Sequence, residues 1–349
     1  MKAMMLTGIR IMEMREVPDP EIRRPTDVLV RVGRVGVCGS DIHYYTQGRI
    51  GAQVVQFPFI VGHECAGTVA AVGSDVTHVR PGDRIFIEPA SYCGECAQCR
   101  AGRANTCRRV GFLGTPGQGN GALAEYVVVP EESCLPIADA TPLERAALAE
   151  PFSIGVYSVR LCGRPIAGAA IGILGSGPIG LSVLAAARAA GAGRAYVTDR
   201  IDSRLAVARE AGADWTGSPD KADVVAEIAA RETLGLDAVF ECCGQQEAID
   251  QAIELLALGG VLVLVGIPEI DRITLNIDLA RRKEIVLQNV RRQNGAGHEA
   301  LELLGSGKAP LDFMITHRLP LERTAEAFDL VAGYRDGVIK AMIEVAAGN

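Results

Sequence analysis

The chain has 349 residues, 48% apolar and 22% charged, and a formal net charge of −7. That is length enough for two domains with cores of their own, and the balance is that of an ordinary globular protein. Basic residues gather no further than Arg281-Arg282-Lys283, too few to neutralise a phosphate backbone, so nucleic acid is excluded as an expected partner.

Residues 1–150 read mostly as short strands and turns. The runs 28–32 and 66–72 are strand-like, and turns such as Arg80-Pro81-Gly82-Asp83 punctuate them. The texture changes after about Ser153. An apolar strand over 169–174 ends in a glycine loop, and a helix over 179–190 follows. Then come a strand over 194–198 that ends at Asp199, a helix over 203–211, a strand over 236–241, a helix over 247–258, and strands over 261–266 and 285–290. Alternation of this kind builds a doubly wound parallel sheet with helices on both faces. A helix near 299–304 and a strand near 341–345 are expected to return to the first domain. The expected class is α/β: a β-rich domain of residues 1–152 and 295–349 with loops suited to hold ligands, and a Rossmann-type doubly wound domain of residues 153–294. The N-terminus lacks the apolar core of a signal peptide, and runs such as 260–267 are too short to cross a bilayer. A cytoplasmic protein with no membrane partner is expected.

Two sets of side chains point to metal. Cys93, Cys96, Cys99 and Cys107 are spaced C-x2-C-x2-C-x7-C. Four thiolates so spaced can close a tetrahedral site that leaves no position for substrate, which makes it structural. The second set is more dispersed: Cys38 offers a thiolate, His63 an imidazole, and Glu64 and Glu150 carboxylates. A catalytic zinc takes three protein ligands and keeps one position open. Cys65, Cys134, Cys162, Cys242 and Cys243 lie in apolar surroundings and are expected to be buried free thiols.

The loop Gly175-Ser176-Gly177-Pro178-Ile179-Gly180 follows a strand and opens a helix, the context a dinucleotide fingerprint needs. Gly175 permits the tight turn, Gly177 lets a pyrophosphate approach the backbone, and Gly180 lets helix and strand pack closely. The phosphates would meet the free N–H groups of the helix N-terminus, where Pro178 is tolerated. Asp199 ends the next strand, 19 residues past Gly180, placed for the adenosine ribose hydroxyls. Its carboxylate would repel a 2′-phosphate, which favours NAD over NADP, although Arg200 and Arg204 lie close by in sequence.

The segments Val37-Cys38-Gly39-Ser40-Asp41-Ile42-His43-Tyr44-Tyr45 and Gly62-His63-Glu64 resemble the zinc-dependent medium-chain dehydrogenases. So do Arg80-Pro81-Gly82-Asp83-Arg84, the four-cysteine lobe and the glycine loop. The resemblance covers essentially the whole chain and is greatest to the polyol branch, the sorbitol, L-iditol and xylitol dehydrogenases. His43-Tyr44, Gly48-Arg49-Ile50-Gly51, Ala149-Glu150-Pro151 and Thr316-His317-Arg318-Leu319-Pro320-Leu321 carry that part.

The resemblance implies a GroES-like first domain, NAD, and two zinc ions per chain, one catalytic and one structural. Cys38, His63 and Glu64 would bind the catalytic zinc. Glu150 stands where alcohol dehydrogenases proper usually have cysteine, and would hold the zinc water or substrate. Ser40 would bond the reacting hydroxyl and His43 pass its proton towards solvent. Tyr44 and Arg291 would contact substrate. Asp199 and Arg204 would bind the adenosine ribose, with Val265, Gly266 and Ile267 near the nicotinamide. Relatives form homo-oligomers, dimers or tetramers, often through sheet edges near 261–265.

The expected reaction is oxidation of a polyol's secondary hydroxyl to a ketose, with hydride passing to NAD. Arg292 departs from the tyrosine typical of sorbitol enzymes. An anionic polyol, a sugar acid or sugar phosphate, is therefore an alternative, beside the reading of Arg292 as a surface residue. L-threonine is another, opposed by Glu150-Pro151, since that branch usually has Asp-Pro there. A non-catalytic NAD-binding protein like the zinc-free crystallin relatives would lack the ligands this chain keeps.

Overall fold

In a computed structural model, which describes residues 1–346, the strand Asp27–Gly36 is the spine of the first unit. It pairs antiparallel with Glu64–Val72, with Tyr126–Pro130 and with Lys340–Glu344. Val28, Val30, Val32 and Val35 are all fully buried. The period of two breaks between Val32 and Val35, where the register against Glu64–Val72 shifts, so both ends of the strand feed the core. The sheet continues outward through Arg84–Ile87 to Cys134–Pro136 on one side, and through Lys340–Glu344 to Ile315–Pro320 on the other.

The first unit comprises Met1–Glu150 and the chain from Leu311 onward, the second Pro151–Pro310. The return therefore comes at Leu311 rather than at residue 295. Residues 295–310 stay with the second unit because the helix Gly297–Gly305 buries Ala300 and Leu304, and Glu299 pairs with Arg160.

The second unit is built on six parallel strands in the order Trp215–Gly217, Arg194–Thr198, Ala170–Leu174, Leu236–Glu241, Leu256–Leu264, Val286–Asn289. Every residue of Ala170–Leu174 is buried, as a central strand covered on both faces requires. The strand Trp215–Gly217 and the helix Val224–Arg231 have no counterpart in the sequence reading. The helix begun at Gln246 stops at Leu255, short of 258, because Leu256 already pairs with Leu236 in the sheet. The uninterrupted run Leu255-Leu256-Ala257-Leu258 holds no stop signal, so its helix–strand junction is invisible to periodicity.

The reading of the N-terminal half as strands and turns also omits the helix Gly39–Gln47, which proves central to the site. Among the described residues no helix is long and apolar enough to cross a membrane.

Candidate metal and dinucleotide sites

Cys38 caps the helix Gly39–Gln47, and the carboxylate of Asp41 accepts its backbone N–H at 3.2 Å. The other Asp41 oxygen accepts Gly62 N–H at 3.3 Å and lies 3.4 Å from His63 Nδ1. Asp41 is completely buried. It therefore locks the turn that presents Cys38 to the ring of His63, and engages Nδ1 so that Nε2 is the nitrogen left for a ligand. One ligand atom each from Cys38, His63 and Glu64 lies within 4.8 Å of the others. Thiolate, imidazole and carboxylate at that spacing suit a zinc with an open fourth position.

Glu64 has a second partner. Gly36 stands between Glu64 and Met342 in the sheet, and a Cβ there would come within 2.2 Å of Glu64 Oε2. The missing side chain leaves room for the Glu64 carboxylate, whose two oxygens lie 2.7 Å and 2.6 Å from Lys340 Nζ. Neither Asp41 nor Lys340 had an assigned role in the sequence reading. Asp41 sits inside the quoted Cys38-Gly39-Ser40-Asp41 stretch, so the signal was present. Lys340, 276 residues from Glu64, left no local signal.

Burial lowers the pKa of His63, but the charges of Asp41 and Cys38 outweigh it and hold the ring well above its usual range. Ser40 donates to Cys38 Sγ at 3.3 Å. His43 is half-buried one turn further along the same helix. Glu150 is buried, and desolvation pushes its carboxyl up to about 8 despite the nearby His63. Tyr44 is 3% exposed and packs into the core of the first unit. Arg291 is exposed, and Arg292 is half-buried with a φ of 53°.

The four-cysteine lobe converges as its spacing implies. Cys93 and Cys107 Sγ are 3.4 Å apart, Cys96 and Cys99 3.6 Å, and Cys96 and Cys107 3.9 Å. Four thiolates around one zinc stand about 3.8 Å apart, given a Zn–S bond of about 2.3 Å. The cluster fits a structural zinc. Arg109 draws the Cys93 thiol down to about 6. Of the other cysteines, Cys65, Cys134 and Cys162 are buried, but Cys242 is half-buried and Cys243 exposed. Those two follow the last residue of the strand Leu236–Glu241, where the chain leaves the core.

In the second unit Gly175 adopts φ 102°, and a Cβ on Gly180 would sit 1.8 Å from the Gly175 carbonyl oxygen. Both positions therefore demand glycine. At Gly177 an added Cβ would meet only the Arg204 guanidinium, at 3.4 Å, so the backbone is open to a phosphate beside a cation. Pro178 is the first residue of the helix Pro178–Ala189, and Ile179 is half-buried. Asp199 accepts the Ser176 N–H at 2.7 Å and the Ile201 N–H at 2.9 Å, which braces the loop. Val265 and Gly266 both donate to the Glu241 carbonyl at 2.9 Å, and Ile267 is exposed. Buried Glu241, given no role beyond ending its strand in the sequence reading, accepts the Cys243 N–H at 2.7 Å and holds that turn.

Residues 24–139 match the alcohol dehydrogenase GroES-like domain, and residues 178–306 the zinc-binding dehydrogenase domain. The chain is 38% identical to a sorbitol dehydrogenase of Bacillus subtilis, over 98% of this chain and 97% of that one. It is 36% identical to an L-idonate 5-dehydrogenase of Vitis vinifera, over 94% and 90%. Among solved structures it is similar to a candidate zinc-binding dehydrogenase of Sinorhizobium meliloti bound to NADP. The TM-score there is 0.90, with 32% identity and 99% of each chain covered.

Proposed function

This chain belongs to the zinc-binding alcohol dehydrogenase family, and we propose that it oxidises a secondary hydroxyl of a polyol to a ketose with NAD. The observation that carries the reading is the convergence of Cys38, His63 and Glu64 next to the Ser40 hydroxyl.

Bound at those three side chains, zinc supplies a Lewis acid that acidifies a hydroxyl beside it, and the dinucleotide supplies the hydride acceptor. The protein's own residues do the rest. Asp41 fixes the His63 ring and the Cys38 turn. Ser40, already at hydrogen-bond distance from Cys38, takes the proton of the reacting hydroxyl, and His43 on the same helix passes it on. Glu150, buried near His63, would hold the oxygen of the zinc water or substrate. Cys93, Cys96, Cys99 and Cys107 hold the second zinc and brace their lobe. Asp199 and Arg204 hold the adenosine end of the dinucleotide, and Val265, Gly266 and Ile267 the nicotinamide end. We assign Tyr44 and Arg291 to substrate. The protein is proposed to work in the cytoplasm as a homo-oligomer, a dimer or tetramer.

A second reading is an anionic polyol. The adjacent Arg291 and Arg292, and the likeness to an enzyme named for L-idonate, a sugar acid, favour it.

Glu150→Ala tests the mechanism: activity disappears while NAD still binds. Full activity in that variant, or in zinc-stripped protein, overturns it. A panel of sorbitol, xylitol, galactitol, aldonic acids and L-threonine separates the substrates. Turnover confined to the acids makes Arg291 and Arg292 an anion clamp.

A further inference from the structure

The parallel strands Arg194–Thr198 and Trp215–Gly217 end side by side. Thr198 pairs with Gly217, and Asp199 N–H donates to the Gly217 carbonyl at 3.3 Å. The segments that leave them, 199–202 and 218–222, therefore share the carboxyl end of the sheet, the end at which open α/β sheets bind ligands. Two ion pairs tie these segments together. Arg200 Nε donates to both Asp220 oxygens, at 2.9 and 3.0 Å, and its second nitrogen lies 2.9 Å from Oδ1. Lys221 pairs with Asp202.

Charge in this corner is thus divided unevenly. The Asp199 carboxylate braces the glycine loop and the next turn. Arg204 stands beside Gly177. Arg200, the residue directly after Asp199, has its fork closed on a carboxylate. A guanidinium is the side chain best shaped to take a phosphate in two parallel bonds, and a carboxylate competes for that same fork.

We infer that Asp220 is a specificity-determining residue: it occupies Arg200, withholds that guanidinium from the 2′ position of the adenosine ribose, and so keeps the site on NAD rather than NADP. The inference deepens the proposed function and rests on its dinucleotide site. The pair draws the Asp220 carboxyl below its ordinary value, as an engaged carboxylate should be. Arg200 and Asp220 side chains are 65% and 45% exposed, so the pair is open to competition and its effect is graded. The Lys221–Asp202 pair still anchors the segment when Asp220 is replaced.

The test is binding of NADH and NADPH, followed by nicotinamide fluorescence, in the full-length protein and in Asp220→Ala, Asp220→Asn, Arg200→Ala and the Arg200→Ala/Asp220→Ala double variant. Wild type should bind NADH more tightly than NADPH. Asp220→Ala should tighten NADPH roughly fivefold, the scale of one exposed ion pair, and move NADH by less than about twofold. Asp220→Asn should act in the same direction, and Arg200→Ala alone should change neither dinucleotide. The double variant should lose the gain. NADPH affinity unchanged in both Asp220 variants, with NADH binding intact, overturns the inference. A gain that survives in the double variant overturns it too, because loss of a negative charge alone would then explain it. Wild type binding neither dinucleotide removes the underlying reading instead.

Discussion

Lys340 and Glu64 form a fully buried ion pair beneath the candidate zinc ligands, each side chain 1% exposed. Lys340 Nζ reaches both carboxylate oxygens and also donates to the Val37 carbonyl at 3.1 Å. Glu64 is thus both a metal ligand candidate and the counter-ion of a buried lysine. Burial lowers the lysine's pKa, but Glu64 and Cys38 outweigh it and keep the ammonium charged.

Breaking such a pair leaves an uncompensated buried charge, at a cost of about 3–5 kcal/mol. Lys340→Met should destabilise the zinc-free protein by about that much, read by denaturant unfolding. The zinc-loaded protein should lose less, because the cation compensates Glu64 in place of the lysine. Lys340→Met/Glu64→Gln should recover much of the loss. Equal losses with and without zinc would show that Glu64 is no ligand.

Asp41 acts on zinc through His63 and the Cys38 turn rather than by contact. Asp41→Asn keeps the shape and removes the charge. Losing an outer partner of this kind weakens metal binding about 10–100-fold. Competition against a chromophoric chelator should show that drop at one zinc of the two. Unaltered affinity would make Asp41 a structural residue only.

The four-cysteine lobe predicts a selective defect. Cys99→Ser should reduce metal content from two zinc ions to one, measured by elemental analysis, and raise the lobe's sensitivity to protease. The remaining zinc should still support NAD reduction when assayed at low temperature. Two zinc ions in that variant would mean that the lobe does not hold metal.

Glu131 supplies a pH-dependent element of the first unit. The Thr77 backbone N–H, then that of His78, which donates at 2.9 Å, hold its carboxyl down to about 2. A carboxyl with a depressed folded pKa stabilises above its ordinary value near 4.5 and loses that contribution as pH falls towards 2. Glu131→Gln should therefore lower Tm by about 2–4 °C at pH 7, with the gap closing between pH 4.5 and 2. A gap that stays constant across the range would assign the effect to packing.

Much of the site was legible in the chain. The strand ends at Thr198 and Glu241, the glycine loop and the cysteine spacing are local patterns, and local patterns survive into the fold. Less legible were the helix Gly39–Gln47, whose mixed polar and aromatic residues carry no clear period, and the short strand Trp215–Gly217, which pairs only at its partner's end. The placement of 295–310 also depended on contacts that the helix Gly297–Gly305 makes elsewhere.

What the sequence by itself determined is the chemistry: which thiolates, imidazole and carboxylates are available, and the strand–loop–helix that meets a pyrophosphate. Spacing alone specifies these because each motif closes within a few residues. Only the tertiary structure decided the company those groups keep. Lys340 comes to Glu64, and Asp220 to Arg200, because sheet pairing brings distant strand ends together. Charge acts through space, over a few ångströms, whatever the separation along the chain.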